Sequence, residues 1–409
     1  MKPPKIGKKA FLRDSPISEV SFDKSEDPLY TGRYFLILND GNRSVVKATK
    51  LLESRFGFTV ANTADFVMES LNESKIKDAN VLFYNDLGIA LVDIEADQKK
   101  LLESSRQDYL IEPEKVVYIP DDIPSEKDEG SAWGIEITEA LYSRFTGDGI
   151  KVAVIDTGFD AGHPDFAGRL ITTSSFVPDG TIKDLHGHGT HCIGTACGSF
   201  DMDGVRYGVA PGTHIYAGKV LNNEGSGAQA WVLDGMTWAA NNGCKVLSMS
   251  FGSSVFTGQR YDVAYERAAQ FALSKGTIIV AAAGNESRRS KNRFYPVDSP
   301  ADCPSILAVG ALDQALDVAD FSNRAINPKG MVDVAAPGVS VYSSWIMPVR
   351  YRTLSGTSMA TPHVAGIFAL LFEKFPDATP LMAEKELRDM ARSLPLSPED
   401  VGVGLSIAP

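Results

Sequence analysis

KVAVIDTG, residues 151–158, is a short apolar run that ends in an aspartate and a glycine turn. A segment of that length bounded by turn residues reads as a strand buried on both faces. Four similar runs follow it: HIYAGKVL (214–221), KVLSMSF (245–251), TIIVAAAG (277–284) and SILAVGAL (305–312). Segments with helical spacing lie among them, namely WVLDGMTWAANNG (231–243), YDVAYERAAQFALSKG (261–276) and ATPHVAGIFALLFEKF (360–375). Strands apolar on both sides and separated by helices predict an α/β domain with a mostly parallel central sheet, spanning 132–409.

Upstream the pattern changes. Residues 1–30 are a polar, charged arm. Residues 31–120 alternate strand-like and helix-like stretches: RYFLILND, then the helix SVVKATKLLESRFG, two strands in NVLFYNDLGIALVDIE, the helix ADQKKLLESSR and the strand YLIEPEKVVYIP. That order, β-α-β-β-α-β, predicts a small ferredoxin-like α+β domain. Residues 121–131 are rich in Asp, Glu, Ser, Pro and Gly and read as an exposed linker, because they can bury little apolar surface.

The 409 residues carry a formal charge of −12 with 44% hydrophobic and 22% charged content, the balance of a globular protein. Net acidity argues against nucleic-acid and anionic-membrane partners, which need a basic footprint. The start, MKPPKIGKKAFLRDSPISEV, lacks the apolar core of a signal peptide. Either the protein stays inside the cell or the chain begins after a removed signal. Four cysteines are too few for a disulfide framework and read as small buried thiols.

In such a sheet, chemistry collects at the carboxyl ends of strands. Asp156 ends the first run, where it either N-caps the next segment or aims a carboxylate at a crevice. His188 sits in HGHGTHCIGTACG, whose small residues allow a helix start to pack closely. Ser358, in LSGTSMATPHVAG, precedes an apolar helix whose first turn should contain Pro362. A serine there is either a plain N-cap or a nucleophile beside unpaired N–H groups that suit an oxyanion. Asn285, after TIIVAAAG, is either a turn residue or an amide donor to that oxyanion.

VAVIDTG, HGHGTHCIGT, AAAGNE and SGTSMATPHVAG together resemble the aspartate, histidine, oxyanion and serine signatures of subtilisin-like serine proteases, in that family's chain order. The resemblance spans 131–409 and implies a subtilisin-like three-layer fold. It implies Ser358 as nucleophile, His188 as general base and then acid, Asp156 as its orienting carboxylate, and Asn285 as an oxyanion donor. It implies a monomer cutting protein or peptide substrates, made as a zymogen. The 31–120 domain would be its chaperone and inhibitor, and the self-cleavage would fall after Tyr118 and before Trp133. Substrate strands would add to Glu224-Gly225-Ser226-Gly227 and Ser250-Phe251-Gly252-Ser253, with Ala282-Ala283-Gly284 walling the pocket nearest the scissile bond.

HGHGTH (186–191) also resembles the H-x-H-x-D-H zinc motif of the metallo-β-lactamase fold. Thr190 stands where that motif needs Asp, and the reading leaves AAAGNE and GTSMATPH without a role. His191, His163 and His363 match structural positions of the protease family, and His186 falls on an exposed approach loop. Cys192, one turn after His188, resembles the proteinase K branch, where a mercurial would perturb the histidine indirectly. Asp165 and Asp203, with Asp201 nearby, resemble the family's strong calcium site, and Asp333 a weaker one; capping and turn formation are the alternative for these acids. Arg288, Arg289, Lys291 and Arg293 form a basic loop that is either a solvated face or a bias toward acidic or polar substrates.

Overall fold

The computed structural model describes residues 29–39, 45–63, 79–94, 102, 108–120, 123–124, 132–178 and 180–409. The predicted arm, most of the second helix of the small domain and most of the linker lie outside the described residues. The chain divides into two units, 1–116 with 228–230, and 117–227 with 231–409.

In the first unit, alternating Leu36 and Leu38 on β1 (Tyr30–Leu38) turn one face of the strand inward. Leu52 of α1 (Val45–Phe56) joins them, with Val81 and Phe83 of β3 (Val81–Tyr84) and Ala90 and Val92 of β4 (Ile89–Val92). β5 (Tyr109–Tyr118) and β4 both pair antiparallel with β1. β3 runs antiparallel to β4, and a three-residue strand that the sequence did not announce, β2 (Val60–Asn62), lies parallel to β3. Arg33 and Glu114 form a buried ion pair, with Nε to Oε2 at 2.5 Å and Nη2 to Oε1 at 2.8 Å.

In the second unit seven strands form a sheet. In chain order they are β7 (Lys151–Asp156), β8 (Ile171–Ser175), β9 (His214–Lys219), β11 (Val246–Met249), β12 (Ile278–Ala282), β13 (Leu307–Leu312) and β14 (Val334–Pro337). Across the sheet they run β14-β13-β12-β11-β7-β9-β8, and every pairing is parallel. The five apolar runs of the sequence are β7, β9, β11, β12 and β13. Because all strands point the same way, their carboxyl ends share one edge, where Asp156 ends β7 and Ser250 and Ala283 follow β11 and β12.

The helices that complete this edge are α3 (His188–Cys197) and α6 (Thr357–Lys374). α6 is buried from Thr357 to Phe372 and packs on α3 and on β11, β12 and β13. A helix with no polar face belongs inside a core. Pro362 lies in its second turn, not its first, so the Ser358 carbonyl loses its helical N–H donor. Ser250 Oγ at 2.9 Å and Cys192 Sγ at 3.6 Å donate to that carbonyl instead. A separate antiparallel sheet joins β15 (Val341–Ser344), β16 (Tyr351–Ser355) and β6 (Ile123–Pro124). No described helix is long and apolar enough to cross a membrane.

Candidate active site

Asp156 is fully buried at the end of β7, and its Oδ1 accepts from His188 Nδ1 at 2.8 Å and from the Thr157 amide at 2.7 Å. A carboxylate offers only lone pairs, so the proton of this contact sits on Nδ1 and Nε2 is left as the basic nitrogen. His188 opens α3 after Gly187, whose φ of +106° favours glycine and whose missing Cβ would lie 2.4 Å from the Trp345 ring.

Ser358 is buried in the first turn of α6, and its Oγ donates to the Ser250 carbonyl at 2.9 Å. With Ser250 Oγ bound to the Ser358 carbonyl, the two residues are tied in both directions. Cys192 Sγ lies 3.8 and 4.0 Å from the two ring nitrogens of His188 and 3.6 Å from the Ser358 carbonyl, so it sits between the histidine and the serine. Burial pushes the Cys192 thiol up from its ordinary value, which keeps it protonated.

Asn285 Oδ1 accepts from both the amide and the hydroxyl of Thr357, at 2.9 and 2.8 Å. Its orientation is thereby fixed, and its buried Nδ2 has no hydrogen-bond partner among the described residues. The substrate segments expected from sequence lie against the chain's own residues. Tyr118 exchanges backbone bonds with Gly252 at 2.9 and 3.0 Å, and the Ile119 amide donates to Gly225 at 3.0 Å. Ile123 pairs with Ser355, three residues before Ser358.

Comparison with known proteins finds a family match. The model of the Subtilase family matches residues 147–404.

The chain belongs to the subtilase family.

Subtilisin of Bacillus pumilus is 41% identical over 258 residues, covering 62% of this chain and 88% of that protein. Subtilisin E of Bacillus subtilis (strain 168) is 39% identical over 285 residues, 68% of this chain and 71% of the other. Thermitase of Thermoactinomyces vulgaris is 39% identical over 241 residues, 59% and 81% of the two chains. This subtilase is therefore a subtilisin-like serine endopeptidase with a mixed α/β fold.

Several residues of the subtilase's site were not legible in sequence. Asp184, 2% exposed, organises the entry to α3. Its Oδ1 accepts from the His186 and Gly187 amides at 3.0 and 2.8 Å and from Thr157 Oγ1 at 3.0 Å. Its Oδ2 accepts from Thr190 N and Oγ1 at 2.9 and 2.8 Å. Buried Lys219 donates from Nζ to the Thr157 carbonyl and, at 3.1 Å, to Asn223 Oδ1. An aspartate shortly before a helix start was the available signal for Asp184; nothing in the sequence marked Lys219.

The remaining histidines separate. His191 lies near the Val341 and Arg352 carbonyls, and burial lowers it to about 3; His363 donates to the Met359 carbonyl, and burial lowers it to about 4. His163 bonds the Arg350 carbonyl. His186 is half-buried rather than exposed, its ring 6.3 Å from that of His188. Among the described residues, the group that brings three potential metal-binding atoms within 4.8 Å of one another is Asp156, His188 and Cys192, not the three histidines of HGHGTH.

The acids named for calcium are engaged otherwise. Asp165 accepts from Tyr207 Oη at 2.8 Å and, on both oxygens, from Tyr351 Oη at 3.0 Å. Asp201 accepts from Tyr342 Oη at 2.9 Å and from the Asp203 and Val205 amides, while the Asp203 side chain is exposed. Asp333 pairs with Arg388 at 2.7 Å and accepts from the Ala308 amide at 2.9 Å. Donor hydrogens engage Asp165, Asp201 and Asp333 while Asp203 is exposed, and among the described residues these acids are not a group of three whose oxygens converge, whereas calcium takes six to eight converging oxygens. The set does not fit the ion, and no step is routed through one. Two cations of the basic loop are likewise committed, while Lys291 and Arg293 are exposed: Arg289 pairs with Asp400 at 2.7 Å, and Arg288 donates to the Asn285 carbonyl at 2.9 Å.

Proposed function

We propose that this endopeptidase works through Asp156, His188 and Ser358, with Asn285 as oxyanion donor, and that it is made as a self-processing zymogen. His188 Nε2 takes the Ser358 Oγ proton as that oxygen attacks the substrate carbonyl, and the tetrahedral oxyanion accepts from Asn285 Nδ2 and the Ser358 amide. The imidazolium, stabilised by Asp156, passes the proton to the leaving amine. Water then repeats the sequence on the acyl-enzyme. Cys192 takes no part in the chemistry and lies under the ring as in the proteinase K branch.

The observation that carries the reading is the 2.8 Å bond from His188 to buried Asp156, beside a serine whose neighbour Asn285 keeps a donor in reserve. The zymogen design rests on residues 118–119, which lie between Gly225 and Gly252 as a bound peptide would. The β-strand order of the 31–120 region supports a ferredoxin-like inhibitory domain. The self-cleavage is assigned after Tyr118 and before Trp133. Wild type and Ser358→Ala expressed side by side test all of this. The wild type should process itself and be labelled by a sulfonyl fluoride, and the variant should remain full length and unlabelled; processing of the variant without added protease would overturn the assignment.

A further inference from the structure

Ser254 follows directly on the segment 250–253 expected to flank substrate, and both its amide and its hydroxyl are turned to one phenol. The Tyr118 hydroxyl lies 2.6 Å from Ser254 Oγ and accepts from the Ser254 amide at 3.3 Å. Tyr118 is 8% exposed and Ser254 5%, so these bonds are shielded from water. A phenol oxygen can accept from an N–H while donating its own proton, so one hydroxyl serves both groups.

Tyr118 is brought to Ser254 by main-chain bonds that almost any peptide could make. It exchanges bonds with Gly252 at 2.9 and 3.0 Å, and the next amide, of Ile119, donates to the Gly225 carbonyl at 3.0 Å. Main-chain bonds of this kind give affinity with little regard to sequence, and side-chain seats give the choice. Burial first, and then the charge of Asp298, push the phenol up from its ordinary value, so the hydroxyl held by Ser254 is neutral. Glu286 acts in the same direction as Asp298, so an anion on the ring would be opposed by both.

We propose that Ser254 makes the enzyme selective for tyrosine at the substrate residue that pairs with Gly252, and that Tyr118 is the chain's own occupant of that seat. The proposal rests on the active-site reading above and adds a substrate class to it. With phenylalanine in the seat, the amide and hydroxyl of Ser254 lose this partner. Leaving buried polar groups unpaired is what lets a site refuse an analogue that lacks a hydroxyl. Phosphotyrosine is refused for a different reason, because it carries negative charge toward Asp298 and Glu286.

The test uses the full chain, expressed and allowed to mature, with the peptide KVVYIP of residues 115–120 as a competitive inhibitor of one reporter cleavage. Three forms are compared, with tyrosine, phenylalanine or phosphotyrosine at the fourth residue. The tyrosine form should inhibit at least about tenfold more tightly than the phenylalanine form, with phosphotyrosine weakest. In Ser254→Ala, which keeps the amide but not the hydroxyl, the Tyr-to-Phe ratio should fall at least about threefold. Equal inhibition by the first two forms, or an unchanged ratio in the variant, would overturn the proposal. Wild type supplies a second measure, the kcat/KM of peptides carrying Tyr or Phe in turn at the second to fifth residues before the cut. An excess for Tyr is expected at one of these positions, and its absence from all of them would refute the seat. Failure to cut any peptide, together with no labelling by a sulfonyl fluoride, would instead overturn the active-site reading beneath it.

Discussion

Asn285 illustrates how one side chain can be held by its acceptor end so that its donor end is available. Thr357 takes both lone-pair directions of Oδ1. Asn285→Leu should lower kcat by about 10²–10³ with little change in KM, since the missing bond, worth about 3–4 kcal/mol, forms only in the transition state. Steady-state kinetics on one peptide would show it, and an equal rise in KM would count against the role. Cys192 gives a second residue-scale expectation. Its thiol is buried and held protonated, so neutral-pH alkylation should leave activity intact, whereas a mercurial should abolish it in wild type and not in Cys192→Ala. Continued inhibition of that variant would remove Cys192 from the explanation.

At the scale of elements, the N-terminus of α3 depends on Asp184. Five contacts converge on its two oxygens, from Thr157, His186, Gly187 and both polar groups of Thr190. Removing a buried acceptor leaves those donors unsatisfied at about 1–3 kcal/mol each. Asp184→Ala should therefore destabilise by at least about 2 kcal/mol and reduce kcat as His188 loses its anchor, measurable by denaturant unfolding alongside kinetics; full stability would refute the anchor. The strands and helices that the sequence disclosed were those with uniform burial: β7, β9, β11, β12, β13 and α6. β8 is an edge strand whose residues are half-covered or exposed, so ITTSS carries no apolar run. β2 is too short for a period, and β14, VAAP, ends in the proline that obscures it. Asp156, His188 and Ser358 stood out in the sequence because local glycine and small-residue patterns accompany them. Lys219 did not, because the Thr157 carbonyl it meets is brought to it only by the pairing of β7 with β9.

For the molecule as a whole, the Asp165 and Asp201 loops are tied by phenols. Tyr351 is held up at about 12, by burial first and by Asp165 second, and Tyr207 and Tyr342 are raised in the same direction. A tyrosine whose folded value exceeds its unfolded value of about 10 contributes stability below pH 10, and that contribution disappears as pH climbs toward 12. Thermal unfolding should accordingly show a Tm that drops between pH 10 and 12, and less steeply in Tyr351→Phe. The same variant should lose about 1 kcal/mol at neutral pH. A chelator should leave the wild-type Tm within about 2 °C; a shift several times larger, corresponding to more than about 1 kcal/mol, would restore a cation to these acids. One last consequence follows from Tyr118 and Ile119 lying against Gly252 and Gly225 on the same polypeptide that supplies the nucleophile. A ligand joined by so short a connector has an effective concentration of order millimolar, so on the proposed zymogen design micromolar outside peptides should be outcompeted until the joint is severed. Onset of proteolysis should then begin with a lag whose first phase is insensitive to dilution, the signature of a unimolecular event.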